Sequence, residues 1–137
     1  MLFRSAAGLQ AIGDFIRSTD AARRVGIIAG VGDRRDEDTR DLGSMAAEIF
    51  DIIIFRQDKD LRGASLEHIN SNLLAGIHQV DPNKPVVVIP DEMRAIAHAL
   101  DNAERGDLII IFSEEISEAI KLVENFEVIQ DRRILVD

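Results

Sequence analysis

A polar segment in the first third of the chain has the residue types of an anion-binding loop. Residues 30–38 read Gly-Val-Gly-Asp-Arg-Arg-Asp-Glu-Asp. Glycines allow a tight turn with accessible amides, an aspartate accepts hydrogen bonds, and arginines bind phosphate oxygens. The candidate phosphate-binding residues are Gly30, Gly32, Asp33, Arg34 and Arg35. The alternative is a polar loop whose acids stabilise the amino end of the helix that follows.

A second polar segment, residues 56–63, reads Arg-Gln-Asp-Lys-Asp-Leu-Arg-Gly. It directly follows an apolar run, so we expect it to leave the end of a strand. Asp58 could hold the ammonium group of an amino acid while Arg62 holds its carboxylate, because opposite charges form strong hydrogen bonds. The alternative for this segment is a solvated charged turn.

Other motifs that mark catalysis or metal binding do not occur. Arg35 stands where a dinucleotide-binding fingerprint needs its third glycine, and neither Gly-Lys-Ser/Thr nor Gly-x-Ser-x-Gly is found in the chain. The chain has no cysteine, and its histidines, His68, His78 and His98, form no helical metal-binding pair. The residues alone support no complete catalytic set and predict no metal site.

The charge balance narrows the classes of partner. The chain has 16 Lys and Arg against 25 Asp and Glu, a net charge of −9. Nucleic acids and anionic membranes are bound through a positive field, so neither is an expected partner. No apolar run approaches the roughly 20 residues that cross a bilayer, and we expect a cytoplasmic location.

Alternating apolar and amphipathic segments must position these loops. Continuous apolar runs rich in β-branched residues predict strands at 25–29, 51–55, 86–89 and 108–112, with a weaker one at 133–136. Apolar residues repeating at three and four positions predict helices at 5–18, 39–50, 65–80, 93–103 and 114–126. Ser65 is the expected N-cap of the third helix. This order predicts an α/β fold: a three-layer Rossmann-like, mainly parallel sheet with helices on both faces.

We expect residues 1–137 to form a single domain. An α/β domain usually begins with a strand at the centre of its sheet, whereas this chain begins with a helix, so a first strand is expected to be missing. Residues 1–6 are interpreted as either a scar of truncation or a natural start, and residues 127–137 as either a tail or an edge strand. Ligands of such a sheet bind beyond the carboxyl ends of its strands, where both polar segments lie.

Three stretches together resemble a known family. They are Ala-Gly-Leu-Gln-Ala-Ile at residues 7–12, the segment 30–38, and the pattern Asp58-x-x-Leu61-Arg62-Gly63. Over residues 7–126 the chain resembles the C-terminal domain of the Mur ligase family, and Gly-Asp-Arg-Arg-Asp-Glu-Asp is the most specific part of that resemblance. Members of the family use ATP to phosphorylate a carboxylate, and an amine then attacks the acyl phosphate to form an amide.

The resemblance implies roles for both polar segments. Nucleotide contact falls on Gly30, Gly32, Asp33, Arg34 and Arg35, and amino-acid contact falls on Asp36, Asp58 and Arg62. Mg²⁺ and most phosphate contacts are expected from a central domain upstream of this one, and an N-terminal domain is expected as a further partner. The members that the chain resembles most add arginine to the aspartate side chains of a polymer, and paired carboxylates in the two segments suit a guanidinium.

The resemblance has one departure, which leaves a second interpretation open. Family members precede Ala-Gly-Leu with a strand that ends in Asp-Tyr-Ala-His-Asn-Pro, whereas residues 1–6 here contain neither the Asp nor the His. Because a closing domain needs a phosphate-binding partner, we expect the chain alone not to turn over ATP. The alternative is a stand-alone α/β module that binds a small ligand or a protein without catalysis.

Overall fold

The computed structural model describes residues 6–126 and 133–136, in which helices and strands alternate. The helices are α1 (Ala6–Ser18), α2 (Asp36–Ile49), α3 (Leu66–Val80), α4 (Glu92–Asp101) and α5 (Ile116–Asn125). The strands are β1 (Arg23–Ile28), β2 (Ile52–Phe55), β3 (Val86–Val88), β4 (Asp107–Ile111) and β5 (Arg133–Val136). Within these residues no helix combines the length and apolarity needed to cross a membrane.

The strands form one five-stranded sheet in the order β3-β2-β1-β4-β5, and every neighbouring pair is parallel. The predicted parallel α/β fold is therefore confirmed, and the weak run at the end of the chain is the edge strand β5. The chain moves outward from β1 through β2 to β3 and then returns to place β4 on the other side of β1. That reversal makes a topological switch point between β1 and β4, where ligands of open α/β sheets bind.

Alternate side chains of the strands enter two separate cores, because successive residues point to opposite faces of a sheet. Ile28, Ile53 and Ile110 belong to the core shared with α1, α2 and α3. Ile27, Ile54 and Ile109 belong to the core shared with α4 and α5. Helices thus cover both faces, and the strand ends are held rigidly enough to present loops at one edge.

Some boundaries and exposures differ from those predicted. β3 was expected to be covered on both faces, but Val87 and Val88 are exposed because β3 is an edge strand. α2 begins at Asp36 rather than at residue 39, since its three acidic first-turn residues favour a helix amino end. Ser65 caps α3 as predicted, its Oγ accepting the His68 amide at 3.0 Å. The predictions for residues 1–5, 127–132 and 137 lie outside the described residues.

Candidate functional site

Four loops meet at the carboxyl edge of the sheet, and we number them by the strand each follows. Backbone hydrogen bonds continue past the strands and hold the starts of these loops side by side. The amide of Arg56 donates to the carbonyl of Ile28 at 2.8 Å, and that of Phe112 to Ile27 at 3.0 Å. Beyond β2, the Gln57 amide donates to Pro90 at 2.9 Å. The loops after β1, β2, β3 and β4 therefore form one continuous surface.

The two polar segments singled out in the sequence touch each other. Arg62 donates from Nη1 to Oδ2 of Asp33 at 3.1 Å, and each side chain is 49% exposed. Arg62 has φ = 53°, a left-handed conformation that is uncommon for a residue with a Cβ. Asp60 stabilises that turn by accepting the Arg62 amide at 2.8 Å. We call this contact between the loops after β1 and β2 the Asp33–Arg62 bridge.

Other parts of the chain pack so closely against Gly30 and Gly32 that neither position has room for a Cβ atom. A Cβ on Gly32 would lie 1.8 Å from the carbonyl oxygen of Leu61, and one on Gly30 would lie 2.4 Å from Cγ2 of Ile69. Among the described glycines, only Gly63 and Gly106 have positive φ. Residues 32–33 form a turn after β1, and the absent side chains of Gly30 and Gly32 also make room for the neighbouring loop and for α3.

The charged residues of the first segment are partnered unequally. Arg35 makes a bidentate contact with Asp38, at 3.1 and 3.0 Å, and this hydrogen bonding lowers the pKa of the Asp38 carboxyl. Asp36 lies 2.8 Å from Nε2 of His68, on the first turn of α3. Arg34 is exposed and forms no ion pair with any residue of ranges 6–126 and 133–136. Among the described residues of this loop, Arg34 is the cation without an ion-pair partner.

These residues fit a single cationic contact with a nucleotide better than a full phosphate site. The amino end of α2, the usual place for a phosphate, carries Asp36, Glu37 and Asp38, whose negative charges oppose an anion there. Over the described ranges no group of three or more His, Asp or Glu side chains is arranged to hold a metal ion. Arg34 could approach a nucleotide phosphate, but the described residues do not fit a magnesium site.

The second segment contains a buried ionic cluster that the sequence did not reveal. Arg56 is 6% exposed and donates from Nε to the carbonyl of Phe112 at 2.7 Å. Its Nη1 donates to Oδ1 of Asp58 at 2.7 Å and lies 3.5 Å from Oε1 of Glu114. Its Nε lies 3.3 Å from Oε1 of Glu92. The alternative interpretation of a solvated turn is wrong for Asp58, which is only 5% exposed.

Glu92, the first residue of α4, connects this cluster to the loop after β4. Its Oε1 accepts the amide of Glu114 at 2.8 Å, and its Oε2 accepts the hydroxyl of Ser113 in a short hydrogen bond. The Glu115 amide also donates to Oε2, at 3.3 Å. One buried carboxylate thus holds three donors of a single loop.

An acidic cleft of about 250 Å³ opens in front of the cluster. It is lined by Gln57, Asp58, Lys59, Pro90, Asp91, Glu92, Glu114 and Glu115. Lys59 pairs with Glu115 at the rim, and that hydrogen bond raises the pKa of its ammonium. With five carboxylates and one lysine on its walls, the cleft suits a cationic ligand.

The structure brings some predicted site residues together and separates others. Asp33 and Arg62 meet, and Arg34 lies beside them on the same loop. Asp58 lines the acidic cleft, whereas Asp36 pairs with His68. The sequence held one signal for the missed cluster, since polar residues stand directly after the apolar runs of β2 and β4. The predicted ligand contacts of these residues stay predictions.

The chain matches the family described as "Mur ligase, glutamate ligase domain" over residues 5–115. It is 43% identical over 117 residues to cyanophycin synthetase of Trichormus variabilis and 41% identical over 117 residues to that of Synechocystis. Each match covers 85% of this chain and 13% of the relative. A UDP-N-acetylmuramoyl-L-alanyl-D-glutamate–2,6-diaminopimelate ligase of Caldanaerobacter subterraneus is 31% identical over 131 residues, covering 95% of this chain and 25% of that protein.

A solved structure supports the same fold. A UDP-N-acetylmuramoyl-L-alanyl-D-glutamate–2,6-diaminopimelate ligase superposes with a TM-score of 0.74 at 15% identity, covering 88% of this chain and 28% of that one. The chain spans only 13% of the length of the cyanophycin synthetases that it matches. Profile, relatives and fold agree with the resemblance found in the sequence, and the chain belongs to the Mur ligase family, whose glutamate ligase domain it matches.

Proposed function

We propose that residues 1–137 act as the C-terminal domain of an ATP-dependent amide-forming ligase that resembles cyanophycin synthetase. In this role the domain closes over ATP held by central and N-terminal domains and positions an incoming arginine. One observation carries the proposal: the loop after β2 presents Arg62 to the loop after β1 on one side and Asp58 to the acidic cleft on the other. A single rigid edge therefore offers a contact for an anion next to a contact for a cation.

The nucleotide side of this edge is the loop after β1. Arg34 has no described ion-pair partner, so its guanidinium is available to a phosphate oxygen when a neighbouring domain presents ATP. Asp33 fixes Arg62 beside it, and Gly32 allows the two loops to lie in backbone contact. Arg35, already paired with Asp38, shapes the loop rather than meeting the ligand.

The amino-acid side is the acidic cleft. Its carboxylates can bind a guanidinium through charge-assisted hydrogen bonds, which are about twice as strong as neutral ones. Asp58 and Glu114 face the cleft from two different loops, and they would contact the cationic end of arginine. Arg62, 49% exposed on the loop that carries Asp58, would meet its carboxylate.

ATP would supply the phosphoryl group that activates a carboxylate of an aspartate polymer for attack by the amine. The residues of this chain hold the two reactants in register and exclude water, which is the contribution that positioning makes to such reactions. Magnesium would be held upstream, because the described residues offer no group of ligands for it. We therefore propose that the chain alone does not turn over ATP.

A chimera tests the proposal. The chain replaces the matching segment of the Trichormus variabilis cyanophycin synthetase, and arginine-dependent ADP release is measured. Arg34→Ala should raise the KM for ATP about tenfold, the loss expected for one charge-assisted hydrogen bond. Arg17→Ala is the matched control, since Arg17 is an exposed arginine of α1 whose ion pair within the described residues is a local one with Asp14. Equal kinetics for the Arg34→Ala and Arg17→Ala proteins would refute the nucleotide assignment.

We propose as the second candidate a binding module without catalysis, whose site would be the acidic cleft. Titration calorimetry of the chain with arginine, ATP and ADP separates the two functions. Micromolar binding of arginine by the lone chain would favour the module, whereas millimolar or weaker binding would favour a domain that acts only with its partners.

A further inference from the structure

Arg56 occupies an unusual position for a charged residue. It follows directly on the apolar strand β2, and its side chain is 6% exposed. Removing a guanidinium from water is unfavourable, and well-packed apolar residues often stabilise a protein core better than a buried ion pair does. A role in stability alone therefore does not account for an arginine at this place.

The contacts of Arg56 reach its own loop, the loop after β4 and the start of α4. Its Nη1 holds Asp58, two residues further along its own loop, at 2.7 Å. Its Nε donates to the Phe112 carbonyl in the loop after β4, and it faces Glu92 at the start of α4. These partners enter from different connections of the fold, so one side chain determines how the loops lie relative to one another.

Arg56 also balances charge in a crowded space. Asp58, Glu92 and Glu114 all lie within 3.5 Å of its guanidinium nitrogens, and the side chains of the first two are 7% exposed. Three carboxylates so close together repel one another unless a cation stands between them. Without Arg56 the walls of the acidic cleft would separate.

We propose that Arg56 is a positioning residue that sets the geometry of the acidic cleft and thereby its preference for a cationic amino acid. It acts through Asp58 and Glu114 and does not itself touch the ligand. The ligand preference rests on the proposed function, whereas the positioning of the loops does not. Arginine is suited to this role because its planar fork of donors binds several acceptors at fixed angles, which a lysine cannot reproduce.

Hydrogen exchange on the 137-residue chain tests the positioning directly. Arg56→Lys keeps the charge but loses the fork. The Lys59 amide donates to Oε1 of Glu114 and the Glu114 amide to Oε1 of Glu92, each at 2.8 Å, so both report on the cleft. We expect these two amides to exchange about tenfold faster in the variant, as for the loss of one hydrogen bond, with the β1 and β4 amides unchanged.

Two further variants keep this test decisive. Arg24→Lys is the matched control, since Arg24 also donates to several carbonyls, those of Ile16 and Thr19 among them, but away from the cleft. Glu92→Gln removes a negative charge from the same cluster. It should give the same faster exchange at the reporter amides, and it serves as the test if the Arg56→Lys protein fails to fold. Unchanged exchange at both reporter amides in a folded cleft variant would overturn the proposal, and so would acceleration throughout the sheet without a larger local effect.

Kinetics in the chimera test the ligand preference. Arg56→Lys should raise the KM for arginine about tenfold, leave the KM for ATP within about twofold, and leave kcat at saturating arginine nearly unchanged. A parallel rise of both KM values, or none, would overturn the role in specificity. If the unmutated chimera shows no arginine dependence, the proposed function fails, and the exchange measurements still decide whether Arg56 positions the loops.

Discussion

Gly32→Ala is the substitution that most sharply tests the contact between the two polar loops. An alanine Cβ at this position would lie 1.8 Å from the carbonyl oxygen of Leu61 and 2.5 Å from its carbonyl carbon. Both atoms are backbone, so no side chain can rotate away, and the loops after β1 and β2 must separate. Overpacking of this kind costs about 1–3 kcal/mol, and we expect the upper part of that range.

The assay is urea unfolding of the purified chain, with Gly63→Ala as the matched control. Gly63 has φ = 84° and no atom within 4 Å of an added Cβ, so its substitution incurs only the cost of a left-handed conformation, about 1 kcal/mol. Gly32→Ala should therefore lose more stability than Gly63→Ala. In the chimera it should also raise the KM for ATP, because Arg34 moves with the displaced loop. A loss below about 0.5 kcal/mol, the scatter of neutral surface changes, would refute the described packing.

Three other substitutions have distinct expected outcomes. Arg62→Gly relieves the left-handed backbone at this position, so it should leave stability unchanged or raise it by about 0.5–1 kcal/mol in urea unfolding. In the chimera it should raise the KM for the amino acid. A clear loss of stability would contradict this expectation. Asp107 is 1% exposed, and it accepts hydrogen bonds from the Arg23 guanidinium at 3.0 and 2.7 Å and from the Glu104 amide at 2.9 Å. Asp107→Ala should therefore lower the free energy of unfolding by about 2–3 kcal/mol. A loss below about 1 kcal/mol would contradict this. Asp38→Asn should flatten the dependence of stability on pH in acid. The folded-state pKa of Asp38 lies below its ordinary 3.8, so the stability that its carboxylate contributes is present above pH 3.8 and is lost as the pH falls through the lowered pKa. Urea unfolding from pH 6 to pH 2 would show a small difference between the two proteins, confined to that acid range.

The fold was largely predictable because its strands are covered on both faces. Such strands appear in the sequence as continuous runs of β-branched residues, and the run Leu108–Ile111 is an example that β4 confirms. The order of the strands was not predicted, because apolar runs do not indicate which strands are neighbours in the sheet. β3 was the exception, because a short edge strand with the same residue types has no helix over Val88.

The site was only partly predictable, for a physical reason. The Asp33–Arg62 bridge joins two segments whose residue types already indicated binding. The cluster around Arg56 depends instead on partners far away in sequence, Glu92 and Glu114, which only the parallel pairing of β1 with β2 and β4 brings together. Charge alone could not distinguish a buried Asp58 from an exposed Lys59 next to it.

The central claim is that the acidic cleft holds the cationic end of an amino acid while the neighbouring loop meets ATP. The most direct test compares arginine with citrulline, its neutral isostere, in ADP release by the chimera. We expect kcat/KM to fall about 100-fold with citrulline, which corresponds to the loss of a charge-assisted contact of nearly 3 kcal/mol. We expect Asp58→Asn to remove most of this discrimination. Equal use of the two amino acids by the unmutated chimera would contradict the central claim.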